Sequence, residues 1–77
     1  MIFKLVQKIE RNVGKKDLHS FTGSINGGVV HVTADYGGVY VEHQKTDCCD
    51  WVCWVGTAIA AANRLEMLGL NLESVEI

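Results

Sequence analysis

Residues 18–44 read LHSFTGSINGGVVHVTADYGGVYVEHQ, and this stretch gives the clearest indication of the fold. Two glycine-rich signals, Asn-Gly-Gly at residues 26–28 and Tyr-Gly-Gly at residues 36–38, divide it into three short segments in which apolar and polar residues alternate. Glycine-rich turns between alternating segments are typical of β-hairpins. The stretch therefore predicts a three-stranded antiparallel meander.

The alternation also predicts which side chains share a face of the sheet. If residues 37–38 form a two-residue turn, Ala34 faces Val41 and Val32 faces His43, and only His43 does not suit a core. One apolar and one polar face are expected when a sheet is covered on one side only. The predicted core face of the first hairpin carries Phe21, Gly23, Ile25, Val30, Val32 and Ala34.

Residues 48–68 are predicted to form one apolar helix that covers this face. Thr46 or Asp47 would cap its N-terminus, and Gly69 is the candidate C-cap. No charge occurs between Asp50 and Arg64, which is typical of a helix buried on more than one side. The stripe that would pack on the sheet consists of Trp51, Val52, Val55, Ala58, Ile59, Ala62 and Leu65.

The two ends of the chain complete the predicted architecture. Residues 2–13 fit an amphipathic helix that stops at Gly14, with a strand as the alternative. Residues 71–77 alternate and suggest a short final strand. The prediction is a single α+β domain of residues 1–77, with a small antiparallel sheet packed on one apolar helix.

Composition and charge exclude several classes of protein. Seventy-seven residues with 48% hydrophobic content form one small globular domain and argue against disorder. The N-terminus lacks the apolar core of a signal peptide, and the longest uncharged stretch, residues 51–63, is too short to span a bilayer. Residues 1–16 have a net charge of +4 and residues 17–77 a net charge of −6, which argues against a nucleic-acid binder.

The cluster of His43, Cys48, Cys49 and Cys53 is the one candidate for chemistry. Thiolates and imidazole are zinc ligands, and a helix N-terminus favours thiolates. The spacing does not match the usual zinc knuckle, and no group is visible that would orient His43 as the base of a thiol enzyme. The favoured interpretation is therefore reduced, small apolar cysteines in a cytoplasmic protein, without a cofactor and without enzymatic activity.

Two surfaces are candidates for binding. The uncharged side of the predicted helix, with Trp54, Thr57, Ala61 and Leu68, combines tryptophan with small residues, as interface cores do. The alternative is that the helix at residues 2–13 covers this side within one chain. The polar sheet face is a weaker candidate, because such faces are mostly solvated; it carries Ser20, Thr22, Ser24, His31, Thr33, Asp35, Tyr40 and Glu42.

The sequence contains no motif that identifies a reaction. We expect a small cytoplasmic protein-interaction or regulatory module that binds a protein partner and forms a homodimer. Short α+β chains of this kind are common among inhibitors carried by phages and other mobile elements, which is an association of class only. The alternative is a zinc-dependent or thiol-dependent module that uses His43 and the three cysteines.

Overall fold

The computed structural model describes residues 1–76 and contains one antiparallel sheet with two helices on one of its faces. The strand order across the sheet is β4-β3-β2-β1-β5. This is the small α+β fold predicted from the sequence, with one additional strand. In chain order the elements are α1 (Ile2–Arg11), β1 (Ser20–Ile25), β2 (Gly28–Asp35), β3 (Gly38–Lys45), β4 (Val52–Gly56), α2 (Ala58–Leu68) and β5 (Asn71–Glu76).

The first hairpin confirms the predicted turn and the predicted core face. Ile25 pairs with Gly28, so residues 26–27 form a two-residue turn in which Gly27 has a φ of +74°. This left-handed conformation favours glycine over residues with a side chain. Phe21 lies opposite Val32, and both are buried.

The second hairpin turns one residue earlier than predicted. Asp35 pairs with Gly38, which places the turn at residues 36–37. The backbone N–H of Gly37 donates to the Asp35 carboxylate at 2.6 Å, and this local bond fixes the turn. Each cross-strand pair is displaced by two residues, so the same side chains still face the core but the predicted partners are wrong. The observed pairs are Ala34 with Val39, Val32 with Val41 and Val30 with His43.

The predicted helix at residues 48–68 is wrong in its first half. Residues 48–51 have no regular structure and residues 52–56 form β4, which pairs with β3. The helix begins only after Thr57, whose side-chain oxygen accepts the backbone N–H of Ala60 at 3.3 Å. Thr57 is therefore the N-cap in place of the predicted caps at residues 46–47. The predicted C-cap is confirmed, because Gly69 is left-handed with a φ of +78°.

The core lies between the sheet and both helices. Val6 and Ile9 of α1 and Ala61 and Leu65 of α2 are fully buried with the apolar sheet residues. The helical alternative for the N-terminal segment is thereby confirmed. The predicted final strand is confirmed as β5, and Ile77 lies outside the described residues.

Candidate functional site

Strand β4 forms an open edge of the sheet. It pairs with β3 on one side only, so alternate backbone N–H and C=O groups point away from the sheet. The strand contains no charged residue. Val55 is 53% exposed, and Val52 and the preceding Trp51 are each about half exposed. An exposed apolar edge of this kind can accept a further strand.

The opposite edge, formed by β5, is protected. Glu73 and Glu76 are exposed on this strand, and its pairing with β1 is irregular. The Ser74 hydroxyl accepts the backbone N–H of Ser24 at 2.7 Å, so a side chain takes the place of a ladder partner. Charge and irregular pairing both discourage the addition of another strand. The two edges of the sheet therefore differ in their capacity to bind.

A cavity of about 590 Å³ opens beside β4, between the core face of β3 and β4 and the helix α2. Its polar groups come from β3 and α2, and its apolar wall comes from β4 and α2. None of its lining residues is acidic. The lining residues are His43, Lys45, Val52, Trp54, Ala60, Asn63, Arg64, Met67 and Leu68.

His43 is the buried polar group of this cavity. Its side chain is only 8% exposed, and neither ring nitrogen has a hydrogen-bond partner. Burial lowers the pKa of His43 below its ordinary value of 6.5, and the positive charges of Arg64 and Lys45 lower this pKa further. Burial and the neighbouring positive charges therefore both favour the neutral form of the imidazole.

Arg64 lies across the cavity from the sheet and is held by an aromatic side chain. Its guanidinium carbon is 5.5 Å from the centre of the Trp54 ring, a distance at which a cation interacts with the face of tryptophan. The Nε of Arg64 is buried without a hydrogen-bond partner. Arg64 and His43 thus bring three unpaired, buried nitrogens to one cavity.

The predicted metal cluster is not assembled. Cys48, Cys49 and Cys53 are free and exposed, which corrects the expectation that the cysteines are core residues. Cys53 pairs with Glu42 on the uncovered face, whereas His43 lies on the core face. Among residues 1–76, no three histidine, cysteine or acidic side chains are placed so that they could hold a metal ion.

The four residues predicted as a partner-binding helix face do not share a surface. Trp54 is on β4, Thr57 is the N-cap of α2, and Ala61 is fully buried. The helix α1 packs against α2, as the single-chain alternative expected. Trp54 and Leu68 do come together, because both line the cavity.

The polar sheet face is uncovered, as predicted. Thr22, Asp35 and the other polar side chains of the meander alternate with the buried residues along β1, β2 and β3. His31 pairs with Glu42 across this face. Val55 of β4 lies on the same face of the sheet, next to Tyr40, and places an apolar side chain at the open edge.

Sequence reasoning did not identify Arg64, Lys45, Asn63 and Met67 as site residues. Two features of the sequence nevertheless indicated this part of the molecule. His43 is the polar exception on the apolar face of its strand, and Arg64 is the first charge after a long uncharged run. Their proximity depends on β4 returning beside β3, which the sequence did not predict.

Similarity to known proteins does not indicate a function for this chain. Within residues 1–76, no helix has the length and apolar character needed to cross a membrane. Comparisons with models of protein families, with curated proteins and with solved structures find no match. The open edge and the cavity are therefore the features on which a function can be proposed.

Proposed function

We propose that this protein is a small protein-interaction module that associates through β4, and that the partner at this edge is a second copy of the chain. Two copies of β4 would pair antiparallel and join the two sheets into one continuous sheet. The observation that carries the proposal is the open, uncharged and half-exposed edge at β4, beside the protected edge at β5.

The residues of β4 are compatible with their own copies. A two-fold axis perpendicular to the sheet pairs core-face residues with core-face residues and outer residues with outer residues. With the axis at Cys53, Val52 lies opposite Trp54 of the second copy and Val55 lies opposite the Trp51 of that copy. Both of these pairs are apolar, and no like charges face each other along β4.

Burial at this interface would add to a limited core. A chain of 77 residues buries little apolar surface, and association is a common way to extend it. Covering the exposed halves of Val52 and Val55 would contribute about 1 kcal/mol per side chain. Backbone hydrogen bonds along the strand would contribute about 0.5–1.5 kcal/mol each. Both terms oppose the entropy that association costs.

A cytoplasmic location is part of the proposal. Cys48, Cys49 and Cys53 are all free and exposed, and exposed thiols persist in reducing compartments. The role of the dimer as a regulator or an inhibitor of a larger protein stays a prediction. It would act by blocking or bridging that protein, without chemistry of its own.

Oligomeric state measured by multi-angle light scattering over a wide range of concentrations tests the proposal. The expected mass of the wild-type chain is that of a dimer. Val55→Lys places a charge on the open edge and is expected to give a monomer, because edge lysines prevent strand addition. Val29→Lys is the matched control: Val29 is 45% exposed on the uncovered face of β2, away from the edge, and this variant should remain dimeric. A monomeric wild type, or a Val55→Lys variant that stays dimeric, would overturn the proposal.

Cross-linking tests the arrangement of the two strands. With the axis at Cys53, the two copies of this thiol face each other across the interface. A Cys48→Ser/Cys49→Ser variant retains Cys53 alone and should form a covalent dimer on mild oxidation. Adding Val55→Lys should abolish this cross-link. Equal cross-linking with and without Val55→Lys would show that the disulfide forms by random collision.

A further inference from the structure

We propose that the cavity between β3, β4 and α2 is a binding site for a small organic carboxylate, carried on an aromatic or aliphatic body. This inference goes beyond the proposed dimer and does not depend on it. The residues that carry it are His43, Arg64 and Lys45, which would receive the carboxylate, and Trp54 and Met67, which would contact the body.

Several buried nitrogens at the cavity lack a hydrogen-bond partner. Most buried polar atoms in proteins have a hydrogen-bond partner, and a buried group without one costs about 1–3 kcal/mol. Both ring nitrogens of His43 and the Nε of Arg64 lack such a partner, and both residues line the same cavity. A carboxylate that accepts hydrogen bonds from the imidazole N–H and from the guanidinium would pair two of these three nitrogens and lower this cost.

The charged side chains that line the cavity are all positive. Arg64 and Lys45 are the charged residues among those that line the cavity, and no aspartate or glutamate lines it. The stacking of Arg64 on Trp54 holds the guanidinium in place before a ligand arrives. A planar guanidinium suits the two oxygens of a carboxylate. The cavity therefore favours an anion.

The remaining walls of the cavity are mainly apolar. Val52, Trp54, Ala60, Met67 and Leu68 supply an apolar lining around the cationic end. The volume of about 590 Å³ lies in the range of small-molecule sites, which is about 300–1,000 Å³. Inorganic phosphate would leave most of this lining unused. An anion with an apolar body fits both parts of the cavity.

The test is a nuclear magnetic resonance titration with 3-phenylpropionate as the probe. Its neutral analogue 3-phenylpropanol and inorganic phosphate are titrated in parallel. We expect saturable shifts of the His43 ring and the Trp54 indole N–H with 3-phenylpropionate, and binding at least tenfold weaker with the other two probes. Absence of saturable shifts overturns the proposal. Equal affinity for the alcohol overturns the role of the charge, and equal affinity for phosphate overturns the role of the apolar body.

A variant at the rim tests the location without disturbing the core. Met67 is 86% exposed at the mouth of the cavity, so Met67→Glu should fold normally and repel the anion. Ile59→Glu is the matched control, because Ile59 is 62% exposed on the same helix and does not line the cavity. Met67→Glu is expected to weaken binding of 3-phenylpropionate at least threefold, and Ile59→Glu to leave it unchanged. Equal effects of the two variants would place the site elsewhere.

The same titration on the Val55→Lys variant separates this proposal from the proposed dimer. Saturable shifts in a monomeric Val55→Lys protein would support the cavity independently of association. Loss of the shifts in this variant, with dimerisation intact in the wild type, would overturn the proposal of a site complete within one chain. A monomeric wild type that still binds 3-phenylpropionate would overturn the dimer alone.

Discussion

Lowering the pH from about 7.5 to about 5.5 is expected to destabilise the protein through His43. The folded-state pKa of His43 lies below its ordinary value of 6.5, because the ring is buried and because Arg64 and Lys45 are positively charged. Below pH 6.5 the unfolded chain takes up a proton at this residue, and the folded chain does not until the pH reaches the lowered pKa. Stability therefore falls as the pH falls through this window, and above it His43 contributes nothing to the pH dependence.

Protonation of His43 in the unfolded chain sets an upper limit to this loss in free energy of unfolding. If His43 stays neutral in the folded protein, the loss in free energy of unfolding at about pH 5.5 is about 1.4 kcal/mol relative to about pH 7.5. For a domain of this size, a loss of this magnitude lowers the melting temperature by about 6–11 °C.

Urea unfolding followed by circular dichroism, at one fixed protein concentration, measures this effect. His43→Leu replaces the imidazole with an apolar side chain of similar size and should flatten the dependence between these two pH values. This variant should also be more stable than the wild type near pH 7, because it removes two buried nitrogens that lack a hydrogen-bond partner. His31→Gln, on the uncovered face, is the control and should keep the wild-type slope. An unchanged slope in His43→Leu would show that a group other than His43 causes the pH dependence.

Three further predictions concern single side chains and use the same urea unfolding assay. Gly69→Ala should cost about 1–2 kcal/mol for the left-handed backbone, because the exposed Asn26 side chain that the new Cβ would meet can move aside. Gly27→Ala, with a similar φ and open space around it, should cost about the same. Thr57→Ala should cost about 1 kcal/mol by removing the N-cap of α2, and Thr57→Ser should restore most of it. Ala61→Leu should cost about 1–3 kcal/mol, because this alanine is fully buried in the core and a larger side chain would overpack it.

The error at β4 has a physical origin. A segment without charge has no polar face, so helical spacing and strand alternation fit it equally well. Residue type distinguishes the two halves of this segment. β-branched and aromatic residues occupy four of the five positions 51–55, and alanine occupies four of the five positions 58–62. Gly56 and Thr57 separate the two runs, and a threonine before an alanine-rich run is an N-cap signal.

The features predicted correctly depend on local backbone demands. The turn at residues 26–27 and the helix end at Gly69 both need a left-handed glycine, and the sequence offers one at each place. The turn at residues 36–37 was displaced because two adjacent glycines allow either register. The bond from the Gly37 N–H to the Asp35 carboxylate decides between them, and this bond is visible only in the structure.

The cavity could be predicted only in part. His43 was recognisable as a polar residue on an apolar face, which is where an unpaired buried group would lie. The stacking of Arg64 on Trp54 was not accessible, because both were predicted to belong to one helix. It arises because β4 reverses the chain and brings Trp54 back against α2, a non-local arrangement that no short sequence pattern encodes.

The difference between the two sheet edges limits how far association can proceed. A sheet that is open on both sides can pass pairing from one copy to the next and grow into a fibre. If two copies pair through β4 as proposed, the edge that remains carries Glu73, Glu76 and an irregular ladder. Each chain would then offer a single edge for pairing, and a rising protein concentration would favour the dimer without producing longer assemblies. Under this proposal the acids of β5 would limit the size of the assembly from the side of the molecule that makes no contact.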